Sequence, residues 1–362
     1  MTKARWDRCI YHQGEHTEDF LQDYLAQTNR RVLLLAGAGF DPRSTIAAKL
    51  VAQYVGERAR GCFLREERPR PANVLVTQGD ENERALCQLI PDCSVTRLNI
   101  FAADNAVVGG RKAVRLVRSL NLDGLTDIFI DVSALSIGVA FPVVRYFFDV
   151  AQQQGLNLHL LVTEEPETDA EIHSTPTDTA DTVHGFKGGW GLDQHSRAAR
   201  LWMPQLARGK QPILEKIRQR IEPHAVCPIL PFPADDPRLP DQLIEHYAEE
   251  FENTWQVDAR DIVYASQRSP LDIYRTILRM DDSRKRVFAE IGGSQIILSP
   301  VGSKTLAVGA LMAALDRDFT VMYVESLDYT TDFDQLNTIR DAQTTELVHV
   351  WLNGEAYMSL GV

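Results

Sequence analysis

The sequence predicts an α/β fold made of two tandem Rossmann-like domains, each with a mainly parallel sheet flanked by helices. Three observations lead there. Short apolar runs of strand length alternate with amphipathic runs of helix length from about residue 32 onward, which is the pattern of βα units. Two segments in opposite halves share one plan: RVLLLAGAGFDPRS over 31–44 and QIILSPVGSKT over 295–305. Each reads as a buried strand, a tight glycine-containing turn and an apolar-periodic helix. Finally, 362 residues, 44% of them hydrophobic, suffice for two separate cores.

The elements follow in order. Residues 1–30 read as a short extension with a helix near 16–25, Thr17 serving as N-cap. A strand at 32–35 feeds a helix at 44–55 with Ile46, Leu50 and Val51 on one face. A strand at 73–77 and a helix at 82–89 come next, then a strand at 95–100 and a helix at 110–119. The strand at 127–132 is apolar on both faces, as a central parallel strand must be. The helix at 141–153 stops at Gly155, a C′-type glycine, before a strand at 156–163. Residues 164–191 are rich in Thr, Asp, Glu and Gly and read as a surface connection or a loop that closes over a ligand. The second half repeats the alternation: strands at 225–230, 261–265, 295–298 and 320–324, and helices at 212–221, 239–252, 270–280 and 304–315. Residues 347–352 read as an edge strand, with Asn353-Gly354 as a hairpin turn. The expected partition is a first domain over 1–165, a connector over 166–200 and a second domain over 201–362.

Composition narrows the function. There are 38 Lys and Arg against 50 Asp and Glu, a net charge of -12, which disfavours general nucleic-acid binding. The basic stretch of Lys210, Lys216, Arg218 and Arg220 is the one local exception and also reads as a solvated helix face. No run reaches the ~20 apolar residues of a membrane span, and the first residues lack the apolar core of a signal peptide, so no membrane partner and a cytoplasmic location are expected. Five scattered cysteines without a CxxC pair read as reduced thiols, with no metal site.

The two turns carry the chemistry. Gly37 and Gly39 permit close backbone approach to an anion. Asp41 reads either as part of the ligand site or as the cap of the helix that opens at Pro42, which suits the first helical position. Arg43, followed by Ser44, places a cation at the positive end of the helix dipole, which is favourable only if an anion is near. In the second turn Ser299, Gly302, Ser303, Lys304 and Thr305 gather hydroxyls and a cation at one helix start. Asp131 and Ser133 stand at the carboxyl end of the central strand, where open α/β sheets bind ligands. Asp131 either accepts a ribose hydroxyl, holds Arg43, or is bonded to loop N–H groups. His184 and His195 lie in or near the connector, and Asp235, Asp236 and Arg238 follow a second-half strand. No HExxH, GxSxG or ordered Ser/His/Asp set occurs, so no catalytic residue is assigned.

Residues 296–307 (IILSPVGSKTLA), with the strand at 321–324, resemble the strand–Gly–Thr–Lys–helix segment of CARF domains, and IDVS over 130–133 is similar to the Asp/Asn-x-Ser/Thr start of that family's motif. The resemblance implies a sensor of cyclic oligonucleotides in prokaryotic antiviral immunity, usually dimeric. A second one competes: LAGAGF over 35–40 looks like the opening glycine segment of SIR2-type NAD-consuming enzymes, and VTQ over 76–78 is similar to their Thr-Gln-Asn segment. It implies NAD cleavage with His184 as general base. The preferred expectation is a nucleotide-binding sensor or accessory subunit. Its ligand is a nucleotide or another phosphate-bearing small molecule, its protein partner a second copy or an effector. A nucleotide-processing enzyme and a protein-binding scaffold are the alternatives.

Overall fold

A computed structural model describes residues 4–190, 198–290, 292–342 and 345–358. The protein is α/β, with mostly parallel sheets flanked by helices. In chain order the elements are β1 (Tyr11–Gln13), α1 (Glu15–Leu25), β2 (Val32–Gly37), α2 (Ile46–Val55), β3 (Ala59–Glu67), α3 (Asn73–Leu89), β4 (Cys93–Asn99), α4 (Gly109–Val117), β5 (Asp127–Asp131), α5 (Ile137–Gln154), β6 (Asn157–Glu164), α6 (Pro166–Glu171) and β7 (His173–Thr182). There follow β8 (Ala199–Pro204), α7 (Gln211–Ile221), β9 (Ala225–Val226), β10 (Ile229–Pro231), α8 (Leu239–His246), β11 (Val263–Ala265), α9 (Pro270–Phe288), β12 (Ser294–Ser299), α10 (Lys304–Arg317), β13 (Thr320–Thr330), α11 (Phe333–Ala342), β14 (Glu346–Asn353) and α12 (Glu355–Met358).

Two compact units emerge: a first of Arg8–Thr175 with Ser326–Val362, and a second of Met1–Asp7 with Pro176–Glu325. The first holds a seven-stranded sheet ordered β1-β14-β6-β5-β2-β3-β4. Its five parallel strands run in the order expected of one half of a doubly wound sheet, the chain reversing direction between β2 and β5. Ligands of open parallel sheets bind outside the carboxyl ends of the strands at such a point. The second unit contains the ladder β13-β12-β8-β9, parallel throughout, and the short parallel pair β10-β11. Each unit has its own core: Leu34, Phe63, Phe129 and Trp351 sit in the first, Trp202, Ile217, Tyr247 and Met322 in the second. No helix among the described residues is long and apolar enough to cross a membrane.

Several expected elements are corrected. The strand at 73–77 and helix at 82–89 are one helix, α3, because Leu75, Gly79, Asn82 and Leu86 recur at helical spacing on its buried side. The strand in question is β3, whose short apolar centre is flanked by Arg60, Arg65, Glu66 and Glu67. The segment 164–191 is not a bare connection: it forms α6 and the ten-residue β7. The edge strand expected at 347–352 in the second half is β14, and it pairs antiparallel with β6 and β1 in the first sheet. Gly354, at φ 131°, turns the chain into α12 rather than a hairpin. Thr17 lies inside α1, its buried hydroxyl donating to the Leu347 carbonyl at 2.7 Å, and Gly14 is the N-cap residue. The strand at 225–230 is split into β9 and β10, and the helix expected over 239–252 ends at His246.

Candidate functional site

The carboxyl edge of the first sheet gathers the residues of the first turn. β2 is buried along its whole length and ends at Gly37. A Cβ at Gly37 would lie 2.6 Å from the Ala134 carbonyl oxygen, so this glycine exists to let the loop after β5 close against the β2 turn. Gly39 is different, since a Cβ there would meet nothing within 4 Å; its carbonyl accepts a hydrogen bond from Asn82 of α3 at 2.8 Å. Asp41 caps a single 3₁₀ turn over Pro42–Thr45, accepting from the Arg43 backbone N–H at 3.0 Å. Ser44 donates its hydroxyl to the Asp41 carbonyl at 2.5 Å.

Arg43 is where the sequence reading needs correcting. Its side chain is 2% exposed and does not face open solvent. The guanidinium donates to Asp41 through Nε at 3.0 Å and Nη2 at 2.7 Å, and Nη1 lies 2.8 Å from Oδ1 of Asp169 on α6. The anion that compensates a cation at this helix start is the protein's own. Burial alone would lower the Arg43 pKa, but the two carboxylates outweigh it and hold the group firmly charged.

Asp131 is 1% exposed. It does not hold Arg43. Its Oδ1 accepts from the Ser133 backbone N–H at 3.0 Å and, over a very short contact, from the Ser133 hydroxyl. The Ser133 oxygen accepts from the Thr163 N–H at 2.7 Å, so β5 and β6 are tied together at their carboxyl ends. Burial pushes the Asp131 carboxyl up to about 6; the Ser133 bonds oppose that shift and the Asp41 charge adds to it. Asp131 Oδ2, Ser136 Oγ and Thr163 Oγ1 are buried here without a hydrogen-bond partner among the described residues. Glu66 adds a carboxylate, accepting from the Ser136 N–H at 2.8 Å.

The second turn belongs to the second unit and is packed by local side chains. Ser299 Oγ accepts from the Trp202 indole at 2.9 Å. A Cβ at Gly302 would lie 3.2 Å from Oε1 of Gln205, whose Nε2 donates to the Leu306 carbonyl at 2.9 Å. Ser303 is the N-cap of α10, accepting from the Leu306 N–H at 3.3 Å. Lys304 opens the helix and is half-buried, and Thr305 is fully buried. Ser303→Ala should therefore cost about 1 kcal/mol of stability, the usual value of a lost cap, read as a lowered urea midpoint at unchanged slope.

Other candidates find ordinary roles. Asp235 pairs with Arg268, Lys216 donates to the Thr177 carbonyl, and Arg218 pairs with Glu215. Thr77 and Gln78 lie within α3. His184 stands exposed in the turn after β7, while His195 lies outside the described residues. None of the five cysteines forms a disulfide, and among the described residues no group of three or more His, Cys, Asp or Glu side chains is placed to hold a metal.

No family model matches this chain, and no curated protein does. Among solved structures it is similar to Phytolacca americana UGT2 complexed with UDP-2fluoro-glucose and pterostilbene, at 10% identity over 78% of each chain with a TM-score of 0.24.

Sequence reasoning missed Glu66, Ser136, Thr163 and Asp169 at the first edge. Asp169 sits in a run of acids where no spacing distinguishes it from its neighbours. Glu66 belongs to a strand that was not recognised. Thr163 could have been found, as the residue ending the strand beside Asp131.

Proposed function

We propose that the first unit is a Rossmann-like domain that binds a phosphate-bearing ligand, a nucleotide above all, at the carboxyl ends of β2, β5 and β6, and that the protein serves as a sensor or accessory subunit. One observation carries the reading: the unmet hydrogen-bonding capacity of Asp131, Ser136 and Thr163 at the point where the sheet reverses direction. Buried polar atoms without partners cost free energy, and a ligand's hydroxyls and amides satisfy them. Arg43 supplies the charge. Asp169, partly exposed on the short helix α6, occupies the position that a phosphate takes when it binds. Ligand entry then means exchange of one anion for another, with release of α6 as the signal. A place in prokaryotic antiviral defence, and a dimeric state, follow the CARF resemblance of the Asp131–Ser133 and Ser299–Thr305 segments.

The test is a thermal-shift panel of NAD, ATP and cyclic oligoadenylates on the wild type and on Asp169→Asn. A ligand at a hundred times its Kd adds about 2.7 kcal/mol to the folded state, which raises the melting temperature by several degrees. Asp169→Asn removes the competing charge and should lower the concentration that gives the half-maximal shift. Flat melting temperatures across the panel in both proteins would sink the reading. Consumption of NAD or ATP during incubation would favour the enzyme alternative.

A further inference from the structure

A second constellation in the first unit lies away from Asp131 and does not depend on the ligand site above. Three histidines from three adjacent strands form a hydrogen-bonded chain: His12 on β1, His349 on β14 and His159 on β6. His12 Nδ1 is 3.0 Å from His349 Nδ1, and His349 Nε2 is 2.9 Å from His159 Nδ1. His159 Nε2 lies 3.5 Å from Asp127 Oδ1. His349, His159 and Asp127 are all fully buried. The rings are sleeved by aromatics, with Phe129 stacked 4.2 Å from His159 and Phe20 4.3 Å from His12.

One carboxylate sets the proton order of the whole chain. Asp127 accepts from the Tyr24 hydroxyl at 2.6 Å and from the Thr126 hydroxyl at 2.5 Å, and its pKa is lowered despite burial by His159, Thr126 and Tyr24, so it is an anion. A nitrogen lone pair facing that anion is repelled, so His159 carries its proton on Nε2 and accepts at Nδ1. His349 then donates through Nε2 and accepts at Nδ1, which requires His12 to donate through Nδ1. That leaves the lone pair of His12 on Nε2, an atom with no partner among the described residues. His12 lines an open groove of about 730 Å³ between β1 and α1, with Tyr11, His16, Asp19 and Asp23 around it. Arg30, 3.8 Å from Asp127 and bonded to Glu355, is a cation at the inner end.

We propose that this groove is a proton-accepting catalytic site, in which His12 Nε2 acts as base toward the O–H or N–H group of a small neutral or cationic molecule, while His349, His159 and Asp127 act as positioning residues. The geometry extends the acid–base–orienter logic of hydrolytic triads by two rings. When Nε2 takes a proton the charge stays on the half-buried His12 at the groove, and His349, His159 and the ionised Asp127 hold its Nδ1–H in place. No charge is then placed on a fully buried ring. Asp19 and Asp23 at the rim disfavour anionic substrates.

Two measurements on the full chain test this. Long-range ¹H–¹⁵N spectra should place the proton on Nδ1 of His12 and on Nε2 of His349 and His159. A proton on His12 Nε2 would overturn the proposal. The second uses p-nitrophenyl acetate. The His12 Nε2 pair attacks the acetyl carbon, the ester C–O bond breaks with release of p-nitrophenolate, and water cleaves the acyl-imidazole to acetate. His12→Phe should lower the rate about tenfold or more, and His246→Ala, at an exposed histidine of the second unit, should leave it nearly unchanged. Equal rates in His12→Phe and wild type overturn the proposal as well. His349→Leu should move the His12 proton toward Nε2, an effect that loss of packing alone does not produce. If that variant fails to fold, the wild-type spectrum still decides.

Discussion

Replacing Arg43 with alanine should destabilise the first unit by about 3–5 kcal/mol, the usual cost of removing one partner from a buried ion pair. The guanidinium is buried against Asp41 and Asp169, and its loss leaves two carboxylates facing each other across the turn after β2. The Asp41 cap on the 3₁₀ turn weakens at the same time. The melting temperature should fall by on the order of 10 °C. A companion variant tells charge from packing: Arg43→Met with Asp41→Asn and Asp169→Asn removes all three charges, and replacing a buried ionic group by uncharged side chains is often close to neutral. Recovery of most of the loss in the triple variant is expected. A single Arg43→Ala that melts within a degree of wild type would contradict the buried-pair geometry. It follows that Asp169, not Arg43, is the position at which to probe ligand binding without unfolding the unit.

Acidification should destabilise the first unit at a pH well above the ordinary carboxylate range. Burial holds the pKa of His349 well below the ordinary 6.5, with the charges of His159 and His12 pushing the same way. Burial also lowers His159, against the opposing pull of Asp127, and lowers His12 together with His16 and His159. Arg30, Glu355 and Tyr24 are the other ionisable groups facing this cluster. Above about pH 7 the rings are neutral in both the folded and the unfolded chain. Below 6.5 the unfolded chain takes protons that the folded His159 and His349 refuse, so stability declines as pH falls. Each refused proton is worth about 1.4 kcal/mol per pH unit, and two give a limiting slope of about 2.7. Asp131 works in the opposite direction. Its folded value of about 6 exceeds the ordinary 3.8, so protonating it below 6 relieves a cost. The net slope therefore grows as pH falls through 6.5 and levels off below about 6 near that of one proton, about 1.4 kcal/mol per pH unit. Urea unfolding at intervals from pH 8 to 5 reads this directly. His349→Leu should flatten the profile by one proton, and a flat wild-type profile would contradict the neutral, buried rings.

Much of the first sheet was legible from sequence because its strands are apolar on both faces and its glycines mark real turns. β2, β5, β6 and α5 fall close to where periodicity and Gly155 put them. β3 was hidden by its charged ends, and α3 by the apolar Val74-Leu75-Val76 at its start, which imitates a strand. At the candidate site, Asp131 and Ser133 were found by position along a strand. The partner of Arg43 was not, because a contact between the turn after β2 and α6 depends on how the chain returns, which no local pattern encodes. The histidine chain was invisible for the same reason: residues 12, 159 and 349 become neighbours only through the pairing of β1, β14 and β6.

The placement of β14 has a consequence for biosynthesis. A ribosome delivers β2 through β6 long before it delivers residues 346–353, so the β6 side of the nascent sheet stays unpaired while the intervening residues are made. During that interval the open backbone edge is a template for wrong partners, and chaperone protection or slow aggregation during translation should be most pronounced in chains truncated just before β14.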